Sequence, residues 1–237
     1  MQTSLAVCEI TDPADPVLSQ VRCLYERTID QATRIPWDWI ARGVGRRHTP
    51  RDRWWTHLLL AADTSGRALG FFHGAYLPAF GGYPCYLGVT PAARGRGLGR
   101  RLYQRLFEAF RRDADRLVEP LPFAIWESEP ATPKDSDEVQ INWQARLRLF
   151  ERVGALWVAG VDFRVPNYMD DAAPPTKLEL FLRPFDTPAT QFTDAELRRA
   201  VGELYQRVYN HGPGDELYEQ AFAPDRELLL RPVAEYP

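Results

Sequence analysis

Residues 86–100 read YLGVTPAARGRGLGR, a strand-like run that leads into a turn with glycine at every second position. Apolar side chains then recur at helical spacing over residues 98–117, so the turn opens a long helix. Gly95, Gly97 and Gly99 lack a Cβ atom, so successive backbone N–H groups can converge on an anion. The start of the helix adds unpaired N–H groups and the positive end of its dipole. The segment therefore predicts a phosphate-binding turn.

The residues of the turn also narrow the kind of phosphate ligand. Arg94 and Arg96 supply charge-assisted hydrogen-bond donors, as a diphosphate requires. A P-loop would need the lysine of GxxxxGK[ST], which is missing here, and a dinucleotide fingerprint would need GxGxxG, whereas this chain has GxGxG. The pattern that fits is RxxGxG at residues 94–99, behind a strand that ends in Val-Thr-Pro.

This pattern resembles the acetyl-CoA-binding motif of the GNAT superfamily of N-acetyltransferases. The order of elements is similar to that of the family from about residue 5 to residue 185: a strand, two helices, three strands, the motif helix, a strand, a helix and two strands. A second segment, LFERVGAL at residues 149–156, resembles the end of a later helix in the family, usually written Leu-Tyr-Glu-Lys-x-Gly-Phe.

The resemblance implies an α/β (α+β) fold with a mixed, mostly antiparallel central sheet and helices on both faces. We expect residues 1–185 to form this acyl-CoA-binding domain and residues 186–237 to form a helical C-terminal extension. Thr193 and Glu196 make a capping box at the start of the extension, and an apolar stripe follows. The stripe must pack on another surface. Two roles stay open for it, a cap on the acceptor site and a homodimer contact.

Two details of the strand pattern are expectations for the structure to test. Gly81-Gly82 is expected to interrupt the chain before a strand at residues 85–89. Residues 155–165 are expected to form one continuous strand after the helix that ends at Gly154.

The co-substrate implied by the resemblance is acetyl-CoA, lying between the strands at residues 85–89 and 123–127. Backbone N–H groups near Leu87, Gly88 and Val89 would bind the thioester carbonyl and stabilise its developing negative charge. Asn142 lies near the asparagine that contacts the cofactor in the family, with its register displaced by one residue. The residues implied to hold the diphosphate and its surroundings are Arg94, Gly95, Arg96, Gly97, Leu98, Gly99 and Arg100.

Direct attack by an acceptor amine requires a base, because an alkyl amine with a pKa near 10 is mostly protonated at pH 7. Many family members carry a carboxylate on the strand before the turn, but residues 84–89 contain none. Glu127, at the end of the next strand, is our predicted catalytic base, with Glu129 and His73 as alternatives. A solvated residue at a strand edge is the other interpretation of Glu127.

Phe150 occupies the position of the tyrosine that protonates the leaving thiolate in many family members. A phenyl ring cannot donate a proton. CoA therefore leaves as the thiolate, since free thiols have a pKa near 8.5, or Tyr86 or Tyr168 donates the proton instead.

The acceptor predicted from charge is a small-molecule primary amine. The segment at residues 127–138 is acidic, with Glu127, Glu129, Asp135, Asp137 and Glu138 against Lys134, which favours a cationic acceptor. Arginines in residues 42–53 make an opposing basic segment, and solvated surface loops explain either segment alone. Trp37, Trp39, Trp54 and Trp55 either pack in the core or stack on the acceptor.

Composition excludes several other classes of protein. The 237 residues are 45% hydrophobic with a net charge of -3, which fits a globular domain and argues against nucleic-acid binding. The sequence shows neither a membrane-spanning run nor a leader, so we expect a cytoplasmic protein that makes no membrane contact. Three cysteines without CxxC spacing and four histidines without HxxxH spacing predict no metal site.

Three alternatives remain open from the sequence. The chain is either an acetyltransferase or a non-catalytic acyl-CoA-binding sensor or interaction protein, as Phe150 and the missing strand carboxylate suggest. A long-chain N-acyltransferase that takes its acyl group from a carrier protein would use the tryptophan-rich region as an acyl tunnel. An unrelated nucleotide-binding fold would bind ATP or NAD instead of CoA.

Overall fold

The computed structural model describes residues 6–170, 172–222 and 226–237. Its residues divide into two compact units, Met1–Pro120 with Asn167–Ala172, and Leu121–Pro166 with Ala173–Pro237. The elements of the first unit are β1 (Ala6–Glu9), α1 (Val17–Thr28), α2 (Trp37–Ala41), β2 (Trp55–Ala62), β3 (Ala68–Leu77), β4 (Gly81–Val89) and α3 (Leu98–Leu117). Those of the second are β5 (Phe123–Ser128), α4 (Asp137–Arg152), β6 (Leu156–Ala159), β7 (Arg164–Val165), β8 (Thr176–Lys177), β9 (Glu179–Pro184), α5 (Asp194–Leu204), α6 (Glu216–Ala221) and β10 (Leu229–Pro232).

The first unit is built on an antiparallel meander in the order β1-β2-β3-β4. Every residue of β3 is buried, because helices cover both faces of the strand. On one face Phe71 meets Tyr25 of α1, and on the other Phe72 meets Tyr103 of α3. Gly74 lets α3 approach closely, since a Cβ atom there would lie 2.8 Å from Leu106. The arrangement agrees with the predicted sheet with helices on both faces.

The turn between β2 and β3 follows from its side chains. The Asp63 carboxylate accepts hydrogen bonds from the backbone N–H groups of Ser65 and Arg67, and Gly66 supplies a φ of 80°. Asp and Gly favour this turn because the carboxylate mimics a backbone acceptor and glycine tolerates positive φ.

Gly81 and Gly82 do not interrupt the chain, so that expectation is wrong. They begin β4 and pair with Leu77 and Tyr76 in the ladder to β3. The irregularity comes further on, where His73 pairs with Tyr86 but Gly74 pairs with Pro84. Cys85 is therefore the extra residue of a β-bulge. A bulge bends its strand and re-aims the residues beyond it.

The second unit pairs its strands antiparallel in the order β5-β9-β6-β10, with β7 and β8 as a separate ribbon. Its core is aromatic: Phe150 of α4 contacts both Trp126 of β5 and Phe181 of β9. The predicted continuous strand at residues 155–165 is wrong, because the chain leaves β6 at Gly160, where φ is 91°.

The predicted extension, residues 186–237, is contained in the second unit. Thr193 caps α5 as expected, since its hydroxyl accepts from the backbone N–H of Glu196. The apolar stripe of α5 is buried within the chain. The extension is not purely helical, however, because β10 pairs with β6. Throughout the described ranges, each helix lacks either the length or the apolar character needed to cross a membrane.

A buried charged triad ties α3 to the sheet of the first unit. His57 on β2 places its Nδ1 2.7 Å from Glu9 Oε1 and its Nε2 2.7 Å from Asp113 Oδ2. Burial disfavours the charged ring, but the hydrogen bonds and charges of the two carboxylates outweigh burial and raise the pKa of His57 to about 9. His57 is therefore an imidazolium at pH 7.

This triad makes the stability of the protein depend on pH. Because the pKa of His57 is raised from 6.5, its stabilisation is complete below pH 6.5 and is lost as the pH rises through about 9. We expect the free energy of unfolding in urea to fall by about 3 kcal/mol over this window. His57→Gln should abolish the fall, whereas His211→Gln, which alters a partly exposed histidine, should retain it. An unchanged pH slope in His57→Gln would contradict this account.

Candidate functional site

The predicted phosphate-binding turn lies between β4 and α3. A 3₁₀ turn at Pro91–Ala93 follows the strand, and Gly95 and Gly97 then adopt φ angles of 73° and 75°. A Cβ atom at either glycine would meet nothing within 4 Å. The backbone conformation therefore requires glycine here, and the surface above both residues is open.

The N-terminus of α3 begins at this turn without a side-chain cap. Its N-cap residue is Gly97, which has no side chain to accept from the first turn, and that turn contains no acidic residue. Exposed Arg100 and Arg101 stand there instead. Helices favour acceptors and negative charge at this end, because their first N–H groups are unpaired and carry positive partial charge. An uncapped, arginine-rich helix start suits an external anion.

Arg94 and Arg96 add to the positive charge of the turn. Both side chains are exposed. The Nε of Arg94 donates to the backbone carbonyl of Val89 at 3.4 Å, which ties this side chain to the end of β4. With the first turn of α3, the segment presents arginine guanidinium groups and glycine backbone on one continuous stretch of chain.

The last three residues of β4 direct their backbone N–H groups to different sides of the strand. Thr90, the residue after β4, donates its N–H to the carbonyl of Leu69 in β3. Because hydrogen-bonding direction alternates along an antiparallel strand, the N–H of Gly88 also faces β3, while those of Leu87 and Val89 face away from β3. Leu87 and Val89 are therefore the two predicted residues whose N–H groups point away from the β3 ladder.

Gly88 has a packing reason to be glycine. A Cβ atom there would lie 2.3 Å from both Phe71 Cε1 and Thr28 Oγ1. No side chain fits at that distance, so the strand and α1 approach each other only because this residue lacks one.

Glu127 lies near the end of β5, in the second unit, and is half-buried. The hydroxyl of Tyr209 donates to Glu127 Oε1 at 2.7 Å. Tyr209 belongs to a π-helical turn, Tyr205–Tyr209, that follows α5. This contact was not anticipated from the sequence. The sequence shows only that Tyr205 and Tyr209 share one face of a helix, because they are four residues apart. That spacing does not identify Glu127, 82 positions away, as the partner of Tyr209.

The alternative bases differ from Glu127 in their surroundings. Glu129 is also half-buried, two residues further along the chain. His73 is buried, and its Nδ1 lies 3.1 Å from the carbonyl oxygen of His57. Complete burial lowers the pKa of His73 to about 4, so this ring is neutral at pH 7 and is a weak base toward an ammonium group.

The structure also places the candidate proton donors. Phe150 is only 4% exposed, against Trp126 and Phe181, so its ring is a core residue. The Tyr86 hydroxyl donates to the carbonyl of Thr33 at 2.8 Å. The Tyr168 ring lies edge-on to Trp39, with ring centroids 5.9 Å apart.

Most of the acidic segment has a local structural role. Asp135 accepts from the backbone N–H of Thr132. Asp137 and Glu138 lie in the first turn of α4, where negative charge stabilises the helix dipole. Glu127 and Glu129, in contrast, neither accept from the Thr132 turn nor lie in the first turn of α4.

The remaining predicted residues divide between the two units. Asn142 lies half-buried on α4 in the second unit, whereas residues 87–100 all lie in the first. Of the tryptophans, Trp55 is 2% exposed and belongs to the core, but Trp39 is 50% exposed beside Tyr168. The part of the chain that the structure describes contains no group of three or more His, Cys, Asp or Glu residues able to hold a metal ion.

Residues 23–120 match the model of the acetyltransferase (GNAT) family. The matched segment includes the glycine-rich turn and all of α3, and it ends before Glu127. A mycothiol acetyltransferase from Arthrobacter sp. (strain FB24) is 49% identical over 49 residues, which is 19% of this chain. The match covers only 15% of that relative's length.

Solved structures share the fold over most of the chain. A protein assigned to the GNAT family of acetyltransferases from Bacteroides thetaiotaomicron has a TM-score of 0.57 at 16% identity, covering 87% of this chain and 99% of that one. A protein described as an acetyltransferase from Acinetobacter baylyi has a TM-score of 0.51 at 14% identity, covering 79% and 97% respectively. These likenesses confirm the predicted fold class.

The glycine-rich turn offers a matched pair of substitutions. Gly97 and Gly66 both have positive φ angles, 75° and 80°, and at both there is open space where the methyl group of an alanine would lie. Alanine at either position should lower the free energy of unfolding by about 1 kcal/mol, the strain of left-handed backbone. Only Gly97→Ala should also weaken CoA binding in a calorimetric titration, by about tenfold, because its methyl group would enter the predicted phosphate-binding turn. Equal CoA affinities in the two variants would contradict the assignment.

Proposed function

We propose that this chain, whose residues 23–120 match the acetyltransferase (GNAT) family, transfers an acetyl group from acetyl-CoA to the primary amine of a small molecule. The observation that carries the proposal is the uncapped N-terminus of α3. Two left-handed glycines, a helix start without a side-chain cap and four arginines within eight residues fit a diphosphate.

The residues of the first unit would hold acetyl-CoA, which supplies an activated thioester when bound. Backbone N–H groups of residues 95–100 would bind the diphosphate, with Arg94 and Arg96 as charged donors. The N–H groups of Leu87 and Val89 would polarise the thioester carbonyl, since they face away from the β3 ladder.

Glu127 would deprotonate the acceptor. The amine arrives as an ammonium ion at pH 7, and a carboxylate both attracts this cation and accepts its proton. Glu127 suits this role because it is half-buried and oriented by a hydrogen bond. Asp137 and Glu138, in contrast, serve the helix dipole of α4.

The residues that bear on the acceptor are two carboxylates of the second unit and an aromatic pair of the first. Glu127 and Glu129 would favour a cationic amine, and exposed Trp39 beside Tyr168 offers an aromatic surface in the first unit for an aliphatic or flat group. These features support a small amine as the acceptor.

A second candidate function is a non-catalytic acyl-CoA-binding protein. The observation in its favour is Phe150, which is buried in an aromatic core and provides no hydroxyl where many family members have a tyrosine. Such a protein would bind acetyl-CoA tightly and release no thiol in the presence of any amine.

The test of function measures thiol release from acetyl-CoA across a panel of polyamines, aminoglycosides, amino acids and short peptides, with acetyl-CoA calorimetry on the same sample. We expect binding and turnover with one class of small amine. Binding without turnover on the whole panel would favour the non-catalytic protein, and preference for long acyl donors would favour an N-acyltransferase of that kind. Failure to bind acetyl-CoA would contradict the proposal.

The role of Glu127 has its own test. Glu127→Gln retains the shape and hydrogen-bonding capacity of the side chain but removes the base. We expect kcat to fall by about 100-fold or more with little change in acetyl-CoA affinity. Glu138→Gln, in the exposed first turn of α4, is the matched control and should retain the wild-type rate. A wild-type kcat in Glu127→Gln would show that another group is the base.

A further inference from the structure

We propose that the C-terminal extension supplies Tyr209 as the positioning residue for the Glu127 carboxylate within the second unit. This inference rests on the proposed role of Glu127 as the base. The cofactor motif and the matched family segment contain no counterpart of this residue, because both end long before the extension begins.

The contact is short and enclosed. The Tyr209 hydroxyl donates to Glu127 Oε1 at 2.7 Å, and the tyrosine is only 9% exposed. Its ring lies edge-on to Phe163 at 5.8 Å and tilted against Tyr205 at 6.1 Å, measured between ring centroids. A buried phenol packed against two aromatic rings has few other positions for its hydroxyl, so the hydrogen bond is directed at one carboxylate oxygen.

The backbone conformation around Tyr209 sets the direction of its side chain. The helix changes from α to π winding over Tyr205–Tyr209 and stops at Asn210, whose φ is 58°. A π turn inserts an extra residue and rotates the side chains that follow it, which is why such turns are frequent at functional sites. Asparagine tolerates the left-handed conformation that ends the turn.

Tyr205 holds the π turn in place. Its hydroxyl donates to the carbonyl of Arg164 and accepts from the N–H of Arg164, both at 3.0 Å. These two bonds attach the turn to Arg164, the first residue of β7. Because Tyr205 also contacts the ring of Tyr209, its attachment to β7 restrains the position of Tyr209.

The hydrogen bond from Tyr209 has a chemical consequence for proton transfer. It engages Oε1 and so restrains the rotation of the carboxylate, which also restrains the direction of the buried Oε2. In the step itself an N–H bond of the acceptor breaks, the proton moves to the Glu127 carboxylate, and the electron pair stays on nitrogen for attack on the thioester carbon. Tyr209 keeps its own proton throughout.

A donor to the ionised carboxylate also stabilises the charged form. Removing that donor should make the carboxylate a stronger base and move the acidic limb of the rate profile to higher pH. Other titratable or charged groups of the second unit lie on the elements around this contact. Asp162 and Arg164 act with Glu127 on Tyr205, Arg207 lies in the π turn, and Glu129 follows β5, whereas Arg146 and Glu179 adjoin Ser128, the last residue of β5. None of them is changed in the variants below.

The experiment is a double-mutant cycle on the 237-residue chain, with kcat and KM measured from pH 5 to 9. The variants are Tyr209→Phe, Glu127→Gln and the double variant, with acetyl-CoA and the amine selected by the panel. We expect Tyr209→Phe to lower kcat by about tenfold or more, with acetyl-CoA affinity unchanged and the acidic limb moved to higher pH. In the Glu127→Gln background, Tyr209→Phe should cost nothing further, because its partner is already altered.

Two controls separate positioning from a structural effect. Tyr218→Phe removes another hydroxyl of the extension, from a ring that contacts Tyr205, and should leave kcat and the pH profile unchanged. Incorporation of 3-fluorotyrosine at position 209 keeps the ring and makes its hydroxyl a stronger donor. It should move the acidic limb to lower pH, opposite to Tyr209→Phe, and it tests the proposal even if the phenylalanine variant does not fold.

The outcomes distinguish this inference from the function on which it rests. If Glu127→Gln is inactive while Tyr209→Phe keeps the wild-type kcat and pH profile, the positioning role is overturned and the base remains. Losses that multiply independently in the double variant would also overturn it. If Glu127→Gln keeps the wild-type rate, the assignment of the base fails, and the role of Tyr209 fails with it.

Discussion

The constraint on which the rest of the site depends is the uncapped, positively charged start of α3. Its first N–H groups have no side-chain cap, and arginines rather than acidic residues surround them. Such an end is unfavourable for an isolated helix and favourable for a bound anion. Packing in the first unit fixes the position of this helix end. Strand β3 is buried between two helices, and Gly74 allows α3 to lie close against the sheet.

Two polar contacts with little exposure to solvent differ in what they stabilise. The Glu9–His57–Asp113 triad fixes α3 on the sheet, and burying its charges is tolerated only because both ring nitrogens are paired. The Tyr209–Glu127 contact instead joins the extension to β5 at a carboxylate that the proposed chemistry uses. In the first contact the charge stabilises the fold. In the second the fold orients the carboxylate that we propose as the base.

Features set by local sequence were predictable, and features set by distant pairing were not. The bounds of α3 follow from a glycine N-cap and an apolar stripe, and the α5 cap follows from Thr193 and Glu196, all of which act within a few residues. The bulge at Cys85 could not be predicted from the sequence of β4 alone, because a bulge is defined by the register between β4 and β3. β10 and the Tyr209–Glu127 contact likewise depend on partners far along the chain.

The central claim is that the turn at residues 95–99 holds the diphosphate of CoA on backbone N–H groups. A crystal structure of the 237-residue chain grown with CoA tests this claim most directly. The account predicts diphosphate oxygens within hydrogen-bonding distance of the N–H groups at the start of α3, with Arg94 or Arg96 beside them. A diphosphate bound elsewhere, or contacted by side chains alone, would contradict it.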